Sequence, residues 1–144
     1  MKIFTIGFTK TSAESFFTRL KEAGVKKVID IRLHNASQLA GFAKKDDLRY
    51  FLDALCRIEY SHLPELAPTQ EIFEAYKKHK GEWTDFEKQF IALIKTRQIE
   101  KVIPREGVDG ACLLCSEDQA DHCHRRLVAE YLKGKWGEID IIHL

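Results

Sequence analysis

The chain has 144 residues, 44% of them hydrophobic, which is the usual size of one domain with a core that needs no metal or disulfide. Charged residues make up 31% but nearly cancel to a formal net charge of +1. This balance excludes a global electrostatic attraction to nucleic acid or to a membrane surface.

The N-terminus and the cysteines predict a cytoplasmic protein. Residues 1–7 are interrupted too early for the core of a signal peptide, and no apolar run approaches the roughly 18 residues of a membrane span. A chain of this size without an export signal more often keeps its thiols reduced. We therefore expect no membrane partner, and free thiols or ligands at the four cysteines, which are Cys56, Cys112, Cys115 and Cys123.

The predicted elements alternate between strands and helices. Short apolar, β-branched runs predict strands, and apolar residues that repeat at spacings of three and four predict helices. In chain order we expect a strand at 2–6, a helix from Thr11 to Gly24, a strand at 27–31, an irregular stretch through Gly41 and Phe42, a helix carrying residues 48–55, a strand at 59–62, helices beginning at Thr69 and Thr84, a loop at 107–110, a strand at 111–115, a helix from Asp121 to Gly134 and a strand at 139–144.

Capping residues define the expected helix starts. Thr11 with Glu14 and Thr84 with Glu87 have the spacing of capping boxes, in which two side chains satisfy backbone N–H groups reciprocally. Asp121 is an ordinary N-cap candidate for the last helix, because its carboxylate accepts hydrogen bonds from free N–H groups.

This alternation predicts an α/β fold with three layers: a mostly parallel sheet of about five strands with helices on both faces, in a single domain spanning 1–144. Ligands of such folds bind beyond the carboxyl ends of the strands. The segments that follow three predicted strands are 7–9, 32–34 and 115–117, and the last helix starts at the same rim. We expect their polar groups to converge.

The residues at this rim predict a small enzyme that binds an anionic ligand bearing phosphate or carboxylate, a class that includes nucleotides. A carboxylate can act as general acid or base, and a thiol can act as nucleophile. An arginine can bind the anion through two parallel hydrogen bonds. The catalytic candidates are Glu117, Cys115 and Cys123, and the ligand-binding candidates are Arg32, Arg125, His124, Gly7 and Thr9. The cofactor and the oligomeric state stay open.

A structural interpretation of the same residues stands beside the functional one. Cysteines at strand ends are often small buried hydrophobes. Arg32 follows Asp30 closely enough that the carboxylate could orient it for a ligand or form a structural ion pair with it. A non-catalytic module that binds a nucleotide or nucleic acid through the same arginines is the main competing class. Nucleic acid is not favoured, because the basic pairs are scattered and balanced by acids.

Three sharper hypotheses depend on spacing. A cysteine phosphatase loop requires arginine six residues after its nucleophile, but Asp121 occupies that position after Cys115 and Ala129 occupies it after Cys123.

A zinc site drawn from Cys112, Cys115, His122, Cys123 and His124 is disfavoured, because a separation of three in a strand puts the first two on opposite faces. We expect no metal. A redox pair of Cys115 with Cys123 is also disfavoured, because no C-x-x-C stands at a helix start.

The motifs as a set resemble the family called domain of unknown function 488. They are Thr5-Ile-Gly7, Asp30-Ile-Arg32, Gly41-Phe42, Cys115-Ser-Glu117 and Cys123-His-Arg125, and they span essentially the whole chain. The resemblance implies an α/β fold with a shared polar pocket, but it implies no reaction. Three places depart from the family pattern: Phe8-Thr9 after the first motif, His34-Asn-Ala36 after the second, and residues 63–67 after the third strand.

Overall fold

A parallel sheet forms the centre of the protein. The computed structural model describes residues 1–36, 41–117 and 119–144. Within them, five strands lie in the order β3-β2-β4-β1-β5, and every neighbouring pair is parallel. The strands are β1 (Lys2–Gly7), β2 (Lys27–Asp30), β3 (Glu59–His62), β4 (Ala111–Cys115) and β5 (Asp140–His143).

Helices connect the strands and cover both faces of the sheet. They are α1 (Ala13–Ala23), α2 (Lys45–Phe51), α3 (Gln70–Lys77), α4 (Trp83–Arg97), α5 (Ile99–Val102), α6 (Arg105–Val108) and α7 (His124–Trp136). A π-helical turn, Leu52–Cys56, continues α2, and 3₁₀ turns occur at Gly41–Ala43 and Pro64–Leu66.

Side chains alternate across the sheet and create two apolar layers. On β4, Cys112 and Leu114 pack with α1 and α2, whereas Leu113 packs with α4 and α7. This is the period of two that a strand imposes. It confirms the expected three-layer α/β fold, and it shows why Cys112 and Cys115 point to opposite faces.

The bounds of the last helix differ from the prediction, and the difference affects the site. Its N-cap is Cys123, not Asp121, because residues 120–123 form a turn in which the Cys123 N–H donates to the carbonyl oxygen of Ala120 at 3.2 Å. Its end is at Gly137, which has a φ of +70°, not at Gly134, which stays helical. The helix therefore begins directly at a thiol.

Two other helix starts also shift. Ser12, not Thr11, caps α1, since its Oγ accepts from the N–H of Ser15 at 3.1 Å. Helix α4 begins at Trp83, one residue before the predicted cap Thr84.

The remaining predicted bounds agree to within a few residues. The cap at Thr69 is confirmed, because its side chain accepts from the N–H of Ile72. Helix α6 occupies the start of the loop predicted at 107–110. The irregular stretch expected before Gly41 includes residues 37–40, which lie outside the described residues. In the described part of the chain, no helix has the length and hydropathy needed to cross a bilayer.

Candidate active site

The predicted rim segments meet at the carboxyl ends of β1, β2 and β4. Gly7 and Cys115 are the last residues of adjacent strands and are paired in register. Arg32 follows β2, and α7 starts at the same edge. Topology thus brings together residues that are more than 100 positions apart in sequence.

The loop after β4 is held by the segment after β1. The backbone N–H groups of Phe8 and Thr9 and the Thr9 hydroxyl all donate to the carbonyl oxygen of Ser116, at 3.3, 3.1 and 2.9 Å. Gly7 lies against the carbonyl group of Glu117, and a β-carbon there would overlap it. Gly7 and Thr9, predicted as ligand-binding residues, thus position the loop that carries Glu117.

Arg125 is 1% exposed and bonds within the protein. Its Nη1 donates to the carbonyl oxygen of Glu117, and its Nε donates to Thr5 Oγ1 at 3.3 Å. Thr5 Oγ1 lies 2.6 Å from Nδ1 of His143 on the edge strand. The guanidinium therefore connects α7, β1 and the loop after β4.

Arg32 forms the ion pair with Asp30 that the sequence suggested. Its Nε and Nη2 donate to the two carboxylate oxygens at 2.9 and 2.8 Å, and Nη2 also donates to the carbonyl oxygen of Ala43. Tyr60 donates to the same carboxylate at 2.6 Å. The buried Nη1 of Arg32 has no hydrogen-bond partner among the described residues.

Cys115, Cys123 and His124 form a buried cluster, which we call the thiol cluster. Their donor atoms, the two Sγ atoms and one imidazole nitrogen, lie within 4.8 Å of one another. The Nδ1 of His124 is 3.4 Å from Cys115 Sγ, and its Nε2 is 2.7 Å from the carbonyl oxygen of Ile31. A carbonyl only accepts, so Nε2 carries a proton and Nδ1 faces the thiols.

The surroundings in the thiol cluster shift the pKa values of its two cysteines in opposite directions. Burial would raise the pKa of Cys123, but hydrogen bonds with Cys115 and His124 and the charges of His124 and Arg125 outweigh it and hold this pKa well below its ordinary value. Burial and the neighbouring Cys123 raise the pKa of Cys115 well above its ordinary value. The position of Cys123 at the start of α7 adds the favourable end of a helix dipole.

The same three residues have the ligand types of a zinc site. Two thiolates and an imidazole occur in catalytic zinc sites, where a fourth position stays open for water or substrate. Of the other sequence candidates, Cys112 faces the opposite layer, and His122 stacks on Trp83 with ring centroids 5.0 Å apart. The structure therefore favours a set of three over the five considered from the sequence.

A cavity of about 290 Å³ opens onto the thiol cluster. Both cysteines and His124 line it, together with Thr9, Ser116 and Glu117. Its other wall is aromatic and comes from α3, α4 and the turn before α7: Phe73, Tyr76, Trp83, Phe86 and His122. A smaller cavity of about 60 Å³ lies along the other side of Cys115 and His124 and is lined by Arg32. Three larger hollows, of about 410, 460 and 370 Å³, lie away from the rim residues.

An ion pair between Lys77 and Glu117 stands at the mouth of this cavity. Both side chains are 40% exposed. Partial burial would lower the pKa of Lys77, but the hydrogen bond and charge of Glu117 outweigh it and raise this pKa. Lys77 was not among the sequence candidates, because in its basic run it is typical of a solvated helix face. Of the aromatic wall, only His122 was considered from the sequence, as a zinc ligand.

The fold and the site define an α/β protein with two thiols and a histidine at the carboxyl rim of a parallel sheet. The family model described as domain of unknown function DUF488 matches residues 12–132, so the chain belongs to that family. The match includes Arg32, Cys115, Glu117 and Cys123, whereas Thr5-Ile-Gly7 precedes it. Neither a curated protein nor a solved structure matches the chain.

Proposed function

We propose that this protein is a small, cytoplasmic, thiol-dependent enzyme that binds an anionic ligand in the aromatic cavity and attacks it with Cys123. The single observation that carries this proposal is the position of Cys123. Cys123 is the N-cap residue of a 13-residue helix, and its thiol lines a cavity and adjoins both Cys115 and His124. Helix starts and nearby cationic groups are the surroundings that turn a cysteine into a nucleophile.

The cavity supports a ligand with a flat apolar part and a negative charge. Trp83 and Phe86 stack with centroids 5.3 Å apart, and Tyr76 packs beside them, so one wall of the cavity is lined by aromatic rings. The start of α7 and Lys77 supply positive potential. A nucleotide-like molecule combines both properties.

Arg32 and Arg125 support this site mainly by fixing the segments that carry its residues. Arg125 fixes the Glu117 carbonyl group, and Arg32 fixes the end of β2 through Asp30. The Nη1 of Arg32 remains for an anion in the smaller cavity. Glu117 would act as acid or base at the mouth once the ligand's anion draws Lys77 away from it.

The test is a thermal-shift screen of the purified protein and of Cys123→Ser against nucleotides, sugar phosphates and carboxylates. A ligand at 100 times its dissociation constant should stabilise the fold by roughly 2.7 kcal/mol. We expect both proteins to respond to the same compounds and only the wild type to modify them. Turnover that survives in Cys123→Ser would refute the nucleophile, and binding without turnover in the wild type would favour a non-catalytic module.

A further inference from the structure

Resting on the proposed function, we infer that Cys115 is the resolving thiol of Cys123 and that the site reduces small anionic disulfides. The inference deepens the proposal by naming both a substrate class and the partner of the nucleophile. It rests on three features: the approach of the two sulfur atoms, the orientation of His124 and the enclosure of the thiols in a small cavity.

The first feature is the geometry of the two thiols. Cys115 ends β4 and Cys123 starts α7, and their Sγ atoms lie within 4.8 Å of each other. A disulfide requires about 2.05 Å between sulfur atoms, so the two side chains must move closer for the bond to form. Cys112 cannot compete for Cys123, because it faces the opposite layer.

The second feature is His124, which touches the resolving thiol. Its Nε2–H is held by the Ile31 carbonyl oxygen, so its Nδ1 stays directed at the sulfur atoms. It can therefore pass one proton on and later take one up without reorienting. Phe90 packs edge-on against its ring, with centroids 5.3 Å apart, and helps to hold that orientation.

The substrate disulfide is reduced in two thiol–disulfide exchange steps. The Cys123 thiol gives its proton to His124 Nδ1, and the resulting thiolate attacks one sulfur of a disulfide RS–SR′. The Cys123–SR bond forms, the S–S bond breaks, and R′S⁻ leaves as R′SH with the proton from His124 Nδ1. The Cys115 S–H then gives its proton to His124 Nδ1 as its sulfur attacks Cys123 Sγ. The Cys115–Cys123 disulfide forms and RS⁻ leaves. The substrate is reduced by two electrons, the dithiol is oxidised, and an external low-molecular-weight thiol restores it by the reverse exchange.

The enclosure of the thiols limits the size of the substrate. Cys123 is 3% exposed and Cys115 is 6% exposed, and both are reached through the cavity of about 290 Å³. This volume lies at the lower end of small-molecule sites. A folded protein carrying a disulfide does not fit, whereas one arm of a small disulfide does, with its carboxylates near Lys77.

The test uses the full chain and oxidised glutathione as the probe. Intact-mass and peptide mass spectrometry should show that the wild type loses two hydrogens and carries a Cys115–Cys123 disulfide, with two molecules of glutathione released for each disulfide consumed. Cys115→Ser should stop at a glutathione adduct on Cys123. Cys112→Ser, a buried cysteine on the opposite face, should behave as the wild type. Cys115→Ala provides a second variant if the serine disturbs the fold.

The outcomes separate this inference from the proposed function. A wild type that stops at the Cys123 adduct would overturn the resolving role of Cys115 and leave Cys123 as nucleophile. A Cys123 that reacts neither with oxidised glutathione nor with iodoacetamide would overturn both. Stoichiometric zinc in the purified protein, lost in Cys115→Ser and Cys123→Ser, would also overturn the inference, because the thiols would then hold a metal.

Discussion

Gly7 lies directly beneath the carbonyl group of Glu117, so closely that the backbone of the loop after β4 occupies the place of a β-carbon. The contact joins the end of β1 to the loop after β4. It explains why a glycine ends this strand, although its backbone has no positive φ that would require one.

Gly7→Ala should therefore displace the loop and destabilise the fold by about 1–3 kcal/mol, the usual cost of overpacking. Chemical denaturation measures the loss. Gly134→Ala is the matched control, because a β-carbon at this helical position meets no atom of the described residues within 4 Å. It should stabilise the protein by up to about 1 kcal/mol. Equal effects at both glycines would contradict the close approach.

Arg32→Ala should cost about 3–5 kcal/mol of unfolding free energy, because it leaves a buried carboxylate without its counter-charge. Asp30 is 0% exposed, and Tyr60 would be its remaining side-chain partner among the described residues. Arg105→Ala, on an exposed turn, should stay within about 0.5 kcal/mol of wild type. A negligible loss at Arg32 would show that its pairing with Asp30 is unimportant for stability.

Lys77→Met should weaken binding of the anionic compounds found in the ligand screen by about tenfold, the effect of one charged hydrogen bond of roughly 1.4 kcal/mol. Isothermal titration calorimetry measures the change. The neighbouring Lys78 is the control, since it pairs with Glu74 on its own helix and is 67% exposed. If Lys78→Met had the same effect, the cavity mouth would have no special role in holding the anion.

The sequence predicted which residues lie at the rim of the sheet better than it predicted where the last helix begins. Strand alternation located Gly7, Arg32 and Cys115 at one edge, because parallel strands necessarily end together. The predicted N-cap of α7 was wrong, because N-cap preference favours Asp121, while the turn at 120–123 makes Cys123 the N-cap. The redox pair was disfavoured because no C-x-x-C stands at a helix start; in the structure Cys123 is at a helix start without that motif.

The cavity wall depends on contacts that no local pattern contains. Tyr76 and Trp83 lie at ordinary helix positions, and only the packing of α3 against α4 turns them toward the thiols. Lys77 meets Glu117 across 40 residues of sequence. Helical periodicity identifies a buried stripe, but it does not say whether core or cavity faces it.

The most direct test of the nucleophile is the pH dependence of iodoacetamide labelling at each of the four cysteines, followed by quantitative mass spectrometry. Burial disfavours the Cys123 thiolate, but Cys115, His124 and Arg125 outweigh burial and lower the pKa of Cys123. The other charged groups that face the cavity are Lys77 and Glu117, which pair with each other at its mouth. A lowered pKa keeps the thiolate populated at lower pH, so its labelling should persist well below the ordinary cysteine pKa and fall only through the lowered value. His124→Ala should move that fall to higher pH.

Cys112 is the internal control, because burial raises its pKa and it should react only in unfolded protein. We predict selective labelling of Cys123 in the folded chain at pH values below the ordinary cysteine pKa. Labelling of Cys123 that follows the profile of the unfolded chain, or that is no faster than labelling of Cys112, would contradict it.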